Sequence, residues 1–143
     1  MLSLYQEIIA AYKANAAIAA AFGKAPVVFW GTAGTQGIRP VVVMTAKPSP
    51  PPQFTLNGNY VEEVTINVIC MATQATQATQ IADAVFNASL TPVPLSSGAV
   101  VCMVPKRGQS REDPDRGAVG DSTGKLVYSC VIELTVTTQN VAQ

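Results

Sequence analysis

The side chains that could carry chemistry are concentrated in one stretch, Lys106–Lys125, which holds five of the nine basic and four of the nine acidic residues. Three of its carboxylates, Glu112, Asp113 and Asp115, offer the oxygen ligands that Ca²⁺ and Mg²⁺ prefer. Arginines lie on both sides of these carboxylates, and their positive charges oppose a bound cation. The stretch therefore predicts a surface of mixed charge and no metal site.

Residue types for nucleophilic or acid–base catalysis are sparse elsewhere. The chain has no histidine, so a serine or cysteine nucleophile would lack its usual base. The cysteines, Cys70, Cys102 and Cys130, are odd in number and widely spaced, which indicates neither a disulfide framework nor a zinc site. Each lies in an apolar run, and we expect three buried thiols. Glu62 and Glu63 are adjacent, and neighbouring strand residues point to opposite faces. We expect no catalytic residues and no enzyme.

Two loops resemble binding motifs only superficially. The glycine-rich segment Gly31–Gly37 lacks the Lys-Ser/Thr pair and the following helix of a phosphate-binding loop. Pro48–Pro52 has the composition of a ligand for a polyproline-binding groove, but so short a run is also a stiff surface connection, which we favour. We therefore expect no cofactor.

The composition describes a chain with an unusually uncharged surface. Its 143 residues suit one domain spanning 1–143. Charged residues make up 13 % of the chain, about half the usual ~25 %. Charge depletion is typical of interface cores, so we expect self-association; a monomer with a Thr/Gln/Ser/Asn surface is the alternative. The net charge of zero steers the chain towards neither nucleic acid nor lipid, and no apolar run approaches the ~20 residues of a membrane span.

Hydrophobic periodicity predicts two helices and a sheet. A helical stripe occupies Met1–Phe22, with Gly23 as its stop, and a second occupies Thr73–Ala88. Alternating or continuous apolar runs predict five strands: Val27–Trp30, Arg39–Ala46, Tyr60–Met71, Ala99–Val104 and Gly124–Thr137. The fold class is therefore α+β, with an antiparallel or mixed sheet of about five strands on which both helices pack.

The last two predicted strands are joined by an exposed charged loop, residues 106–121. Its length exceeds that of most connections, and long loops are often functional. Because arginine is enriched at protein interfaces and lysine is depleted, we expect Arg107, Arg111 and Arg116 to contact a partner. A solvated hairpin without a partner is the alternative.

The order of elements is similar to that of a known family. The features are a first helix ending in Ala-Ala-Phe-Gly-Lys (residues 20–24), the segment Gly-Ile-Arg-Pro-Val-Val-Val-Met (37–44), a long alternating strand, the helix Thr73–Ala88 followed by Leu90, and the final strand Leu126–Thr137. This pattern resembles the tail-terminator, or tail-completion, proteins of long-tailed bacteriophages over nearly the whole chain. The run Pro48–Pro52 departs from it.

The resemblance implies a structural virion protein, synthesised in the host cytoplasm and located at the head-proximal end of the tail. It implies a ring, usually hexameric, that caps the tail tube, ends tube polymerisation and offers a docking surface to the head-neck connector protein. Its partners would be further copies of itself, the tube protein and the connector, with genomic DNA passing through without specific binding. The alternatives are another phage neck or baseplate adaptor, a non-viral scaffold of similar fold, or a small enzyme or ligand-binding domain.

Overall fold

The computed structural model describes residues 2–31, 40–47, 53–54, 60–90, 99–114 and 126–140. In these ranges the chain forms three helices and six strands. In chain order they are α1 (Leu2–Ala14), α2 (Ala16–Phe22), β1 (Val28–Trp30), β2 (Val41–Ala46), β3 (Gln53–Phe54), β4 (Tyr60–Ala72), α3 (Ala75–Ala88), β5 (Ala99–Pro114) and β6 (Leu126–Asn140).

The strands form one mixed sheet in the order β1-β2-β4-β6-β5, and the two-residue β3 pairs with β4 beside this path. β1 is parallel to β2, and the other described pairs are antiparallel. β4 pairs with β6 along its whole length, from Tyr60 opposite Asn140 to Ala72 opposite Tyr128. The predicted α+β class with a mixed sheet is confirmed, and β1 and β5 form its two edges.

The predicted helix Met1–Phe22 is in fact two helices that meet at Asn15. Asn15 has an extended backbone, and its side chain accepts a hydrogen bond from the Ile18 amide at 3.0 Å. This N-cap satisfies an amide that would otherwise lack a partner, and so it favours a new helix start over continuation. The predicted stop is confirmed, because Gly23 adopts a left-handed conformation with φ of 73°.

Helix α3 begins at Ala75, two residues later than the prediction from Thr73. Its alanines Ala78 and Ala82 are buried, and these small side chains let the helix lie close to its neighbours. Gln77 donates hydrogen bonds from Nε2 to the carbonyls of Ala21 and Phe22 at 3.4 and 3.3 Å. The Thr-Gln repeat therefore includes a contact that joins α3 to the end of α2.

The core lies between the three helices and one face of the sheet. The predicted alternation in β4 is confirmed, since the members of its apolar face are all buried: Val64, Ile66, Val68 and Cys70. The helices contribute a matching buried set: Ile8, Tyr12, Ile18, Phe22, Ile81 and Val85. Inside this core the hydroxyl of Tyr12 lies 2.6 Å from Oγ of Ser89, which joins α1 to the end of α3.

The charged segment does not begin as a loop. Strand β5 continues ten residues past its predicted end at Val104, to Pro114, and only residues 115–125 separate it from β6. The register explains the difference, because β6 offers partners for the polar residues: Lys106 lies opposite Glu133, and Arg111 opposite Ser129. As an edge strand, β5 can carry charge that a central strand could not bury. The later half of the predicted loop lies outside the described residues.

Within the described residues no helix is both long enough and apolar enough to cross a membrane.

Candidate assembly surfaces

Of the three arginines predicted as partner contacts, Arg107 has a described side chain. The Arg107 side chain lies on β5 opposite Ile132, whereas Arg111 is four residues further along the strand, opposite Ser129. The side chain of Arg111 and the whole of Arg116 lie outside the described part of the chain. The structure thus describes one of the three candidate side chains.

Arg107 joins the edge strand to helix α3. Its Nη1 donates to Oδ1 of Asp83 at 2.7 Å, and its guanidinium lies 4.5 Å from the ring centroid of Phe86. The two charged side chains remain 54 % and 50 % exposed, so water screens the pair and it contributes at most about 1 kcal/mol to stability. The stacking on Phe86 adds a similar amount. The two contacts matter more for orientation than for stability, because Asp83 and Phe86 hold the half-exposed guanidinium of Arg107 in one position.

A cleft opens next to Arg107, between α3 and the β5–β6 pair. It has a volume of about 90 Å³, and Thr79, Ser110 and Cys130 are among its lining residues. A β-bulge shapes its wall, because Gly108 and Gln109 together stand opposite one residue of β6, Val131. A Cβ at Gly108 would lie 3.2 Å from both the Cβ and the carbonyl oxygen of Val131, which explains the glycine.

The outer edge of β5 is poorly suited to adding another strand. Pro105 has no amide hydrogen, Lys106 places a charge on the edge, and the bulge at Gly108 interrupts the regular ladder. These are the devices with which proteins prevent unspecific pairing at sheet edges. The backbone edge of β5 is therefore a poor site for the addition of a further strand.

The opposite edge of the sheet carries an exposed aromatic pair. Trp30 of β1 is 37 % exposed and stacks on Tyr5 of α1, with ring centroids 3.9 Å apart and 16° between the planes. Aromatic side chains held rigid at a surface are enriched at protein interfaces. Sequence reasoning missed this feature, because the stacking depends on how α1 crosses the short edge strand.

The sheet face away from the helices combines threonines with a few charged side chains. Here Thr65 of β4 lies opposite Thr135 of β6. Lys47 and Glu133 form an ion pair on this face at 3.2 Å, and Glu63 and Lys106 also lie on it. Such a Thr-rich surface agrees with the low charge content of the chain.

The described residues offer little for catalysis or metal binding. They contain no group of three or more His, Cys, Asp or Glu side chains that could hold a metal ion; the side chains of Glu112 and Asp113, and all of Asp115, lie outside them. Cys70 is buried as predicted, and burial raises the pKa of its thiol far above the ordinary range, so it stays protonated. Cys130 is only half-buried, contrary to prediction, because it lines the cleft.

One signal for the cleft becomes readable once β5 is known to continue through Gly108. An isolated glycine in the middle of a strand often marks a bulge. The contacts of Arg107 with Asp83 and Phe86 could not be predicted from local sequence. Asp83 and Phe86 are more than twenty residues away in the chain, and only the packing of α3 on β5 brings them together.

Comparison with known proteins identifies a matching family and a solved structure of similar fold. A family model described as Tail completion protein gp17 matches residues 6–129. A chain of the solved structure described as "Virion of native gene transfer agent (GTA) particle" has a similar fold, with a TM-score of 0.60 and 20 % sequence identity over 97 % of this chain and 93 % of that chain. No curated protein matches the sequence.

Proposed function

The chain belongs to the tail completion protein gp17 family. From this premise we propose that it forms a ring on the head-proximal end of a phage tail tube, and that the closed ring is a hexamer. Membership makes the chain a structural protein of a phage-type tail. The family match over residues 6–129 is the observation that carries the proposal. The ring, its position and its partners are the proposed part.

Ring formation is supported by the distribution of exposed apolar side chains. A ring uses one heterologous contact, in which two different patches of each subunit meet. Trp30 lies on the β1 edge and Val104, which is 52 % exposed, lies on the β5 edge at the other side of the sheet. Leu90, after α3, is a third exposed apolar side chain at 57 %. Apolar side chains at two different edges and a charge content of 13 % suit such a contact. A stable one should bury at least ~1,000 Å².

The ring would end tube polymerisation by covering the surface on which the next tube ring adds. Its outer face would then be the docking surface for the head-neck connector. We place residues 115–125, which include Arg116, and Arg111 on this docking surface, and Arg107 in the contact between subunits, because mixed charges set register and specificity more than affinity. The zero net charge suits a conduit through which DNA passes without being held.

Polymerisation of the cognate tube protein in the presence and absence of this chain tests the proposal. We expect tubes that stop growing and carry a ring at one end when the chain is added, seen by negative-stain electron microscopy. Tubes that grow without limit beside unbound chain would contradict it. Binding at the tube end without an effect on length would instead favour a neck or baseplate adaptor.

A further inference from the structure

We propose that the cleft between α3 and the β5–β6 pair receives an acidic side chain of a neighbouring copy of this chain, and that Glu63 is that side chain. The inference rests on the proposed ring and names the residues of its subunit contact. It is carried by the volume of the cleft, by the groups that line it and by the charge of Glu63.

The volume of the cleft limits the occupant to one side chain. Sites for metabolites and cofactors occupy about 300–1,000 Å³, whereas this cleft has about 90 Å³. A cleft of this volume suits a short side chain, such as a carboxylate with its adjoining methylene. The cleft is therefore too small for a metabolite or cofactor, and we assign it to a side chain of another protein subunit.

The lining groups select a hydrogen-bond acceptor. Arg107 has five N–H donors, and the structure assigns one of them to Asp83. Thr79 and Ser110 add hydroxyl groups to the wall, and the Ser110 hydroxyl donates to Cys130 Sγ at 3.5 Å. An apolar side chain would desolvate the Thr79 hydroxyl and the remaining N–H groups of Arg107 without pairing them, which is costly. A carboxylate would accept from them, and arginine–carboxylate pairs are among the strongest side-chain hydrogen bonds.

The position of Glu63 makes it the matching group on the next subunit. Among the described residues it is an exposed carboxylate for which the structure shows no ion pair. It alternates with the buried Val64, and so it lies on the face away from the helices, whereas the cleft lies on the helix side. Opposite faces of one subunit are two different patches, as a heterologous contact requires.

Reversal of the two charges tests the pairing. We expect Glu63→Arg and Arg107→Glu each to weaken self-association about tenfold or more, and the double variant to restore it. Association constants are measured by sedimentation or mass photometry. Lys24→Glu is the matched control, because it makes the same charge change on the exposed connection between α2 and β1, outside the cleft and outside the sheet face that carries Glu63, and should leave association unchanged. Asp83→Asn controls for loss of the internal pair and should also retain association.

The thiol of Cys130 gives an independent readout, because it lines the cleft in the unmodified chain. We expect its alkylation by N-ethylmaleimide, followed by mass spectrometry, to slow about tenfold or more on ring formation, as burial of a contact predicts. Equal rates in ring and free chain, or failure of the double variant to restore association, would overturn this inference and leave the ring standing. A wild-type chain that neither forms rings nor caps tubes would overturn the proposed function itself.

Discussion

The hydrogen bond between Tyr12 and Ser89 allows a sharp prediction about stability. Ser89 Oγ donates to the Val85 carbonyl at 2.7 Å, and a hydroxyl has one proton, so the Tyr12 hydroxyl donates to Ser89 Oγ at 2.6 Å. Tyr12 and Ser89 are 2 % and 0 % exposed. Removal of one hydroxyl or the other should therefore change the free energy of unfolding by different amounts, because each removal leaves a different group without its partner.

Ser89→Ala leaves the Tyr12 hydroxyl buried without its acceptor, which should cost about 1–3 kcal/mol. Tyr12→Phe keeps the ring and leaves Ser89 donating to Val85, so it should cost only about 1 kcal/mol. The double variant should cost less than the sum, because neither unpaired group remains. Urea denaturation followed by circular dichroism measures all three free energies. Equal costs for the single variants, with strict additivity, would refute this account of the bond.

The same tyrosine predicts a loss of stability at alkaline pH. Burial raises the pKa of Tyr12 from 10 to about 12. A raised pKa in the folded state means that this stability is complete below pH 10 and is lost as pH rises towards 12. Each pKa unit corresponds to about 1.4 kcal/mol, so Tyr12 accounts for roughly 2–3 kcal/mol in this window. Tyr12→Phe should reduce the slope there, while the buried Cys70 thiol, whose pKa is also raised, keeps part of it; an unchanged slope would contradict the assignment.

Three further predictions concern Gly108 in β5, the thiols, and residues 115–125. Gly108→Ala should lower the free energy of unfolding by about 1 kcal/mol or more, because its Cβ would meet Val131 at 3.2 Å; an unchanged denaturation midpoint would show that the bulge adapts freely. Cys70 should resist a water-soluble thiol reagent that modifies Cys130, because Cys70 is fully buried; equal rates by mass spectrometry would be inconsistent with the described core. Replacing residues 115–125 by a short glycine-containing turn should leave denaturation unchanged yet impair the joining of tails to heads, counted by electron microscopy, whereas normal particle yields would remove that segment from the docking surface.

Local hydrophobic periodicity was sufficient to predict the helices and strands that bury one face. The alternation along β4 and the apolar stripe of α3 identify a strand and a helix directly, since each pattern has a single regular period. The left-handed stop at Gly23 also follows from its own residue type. These features need no knowledge of what the segment packs against.

The misplaced features depend on long-range pairing. The composition of residues 106–114 favours a loop, but their register with β6 makes them a strand. The break at Asn15 depends on competition between a local cap and a continuous helix. Arg107 was identified from residue type alone, and its contacts with Asp83 and Phe86 required the fold. The roles of Arg107, Arg111 and Arg116 in partner contact stay predictions.

Localisation of this chain in intact particles tests the central claim most directly. Cryo-electron microscopy of particles that carry the chain with a small added tag would locate the tag relative to head and tube. The account predicts one ring of tag density between the last tube ring and the connector. Tag density along the whole tube, at the distal tip, or absent from the head-proximal end would contradict it.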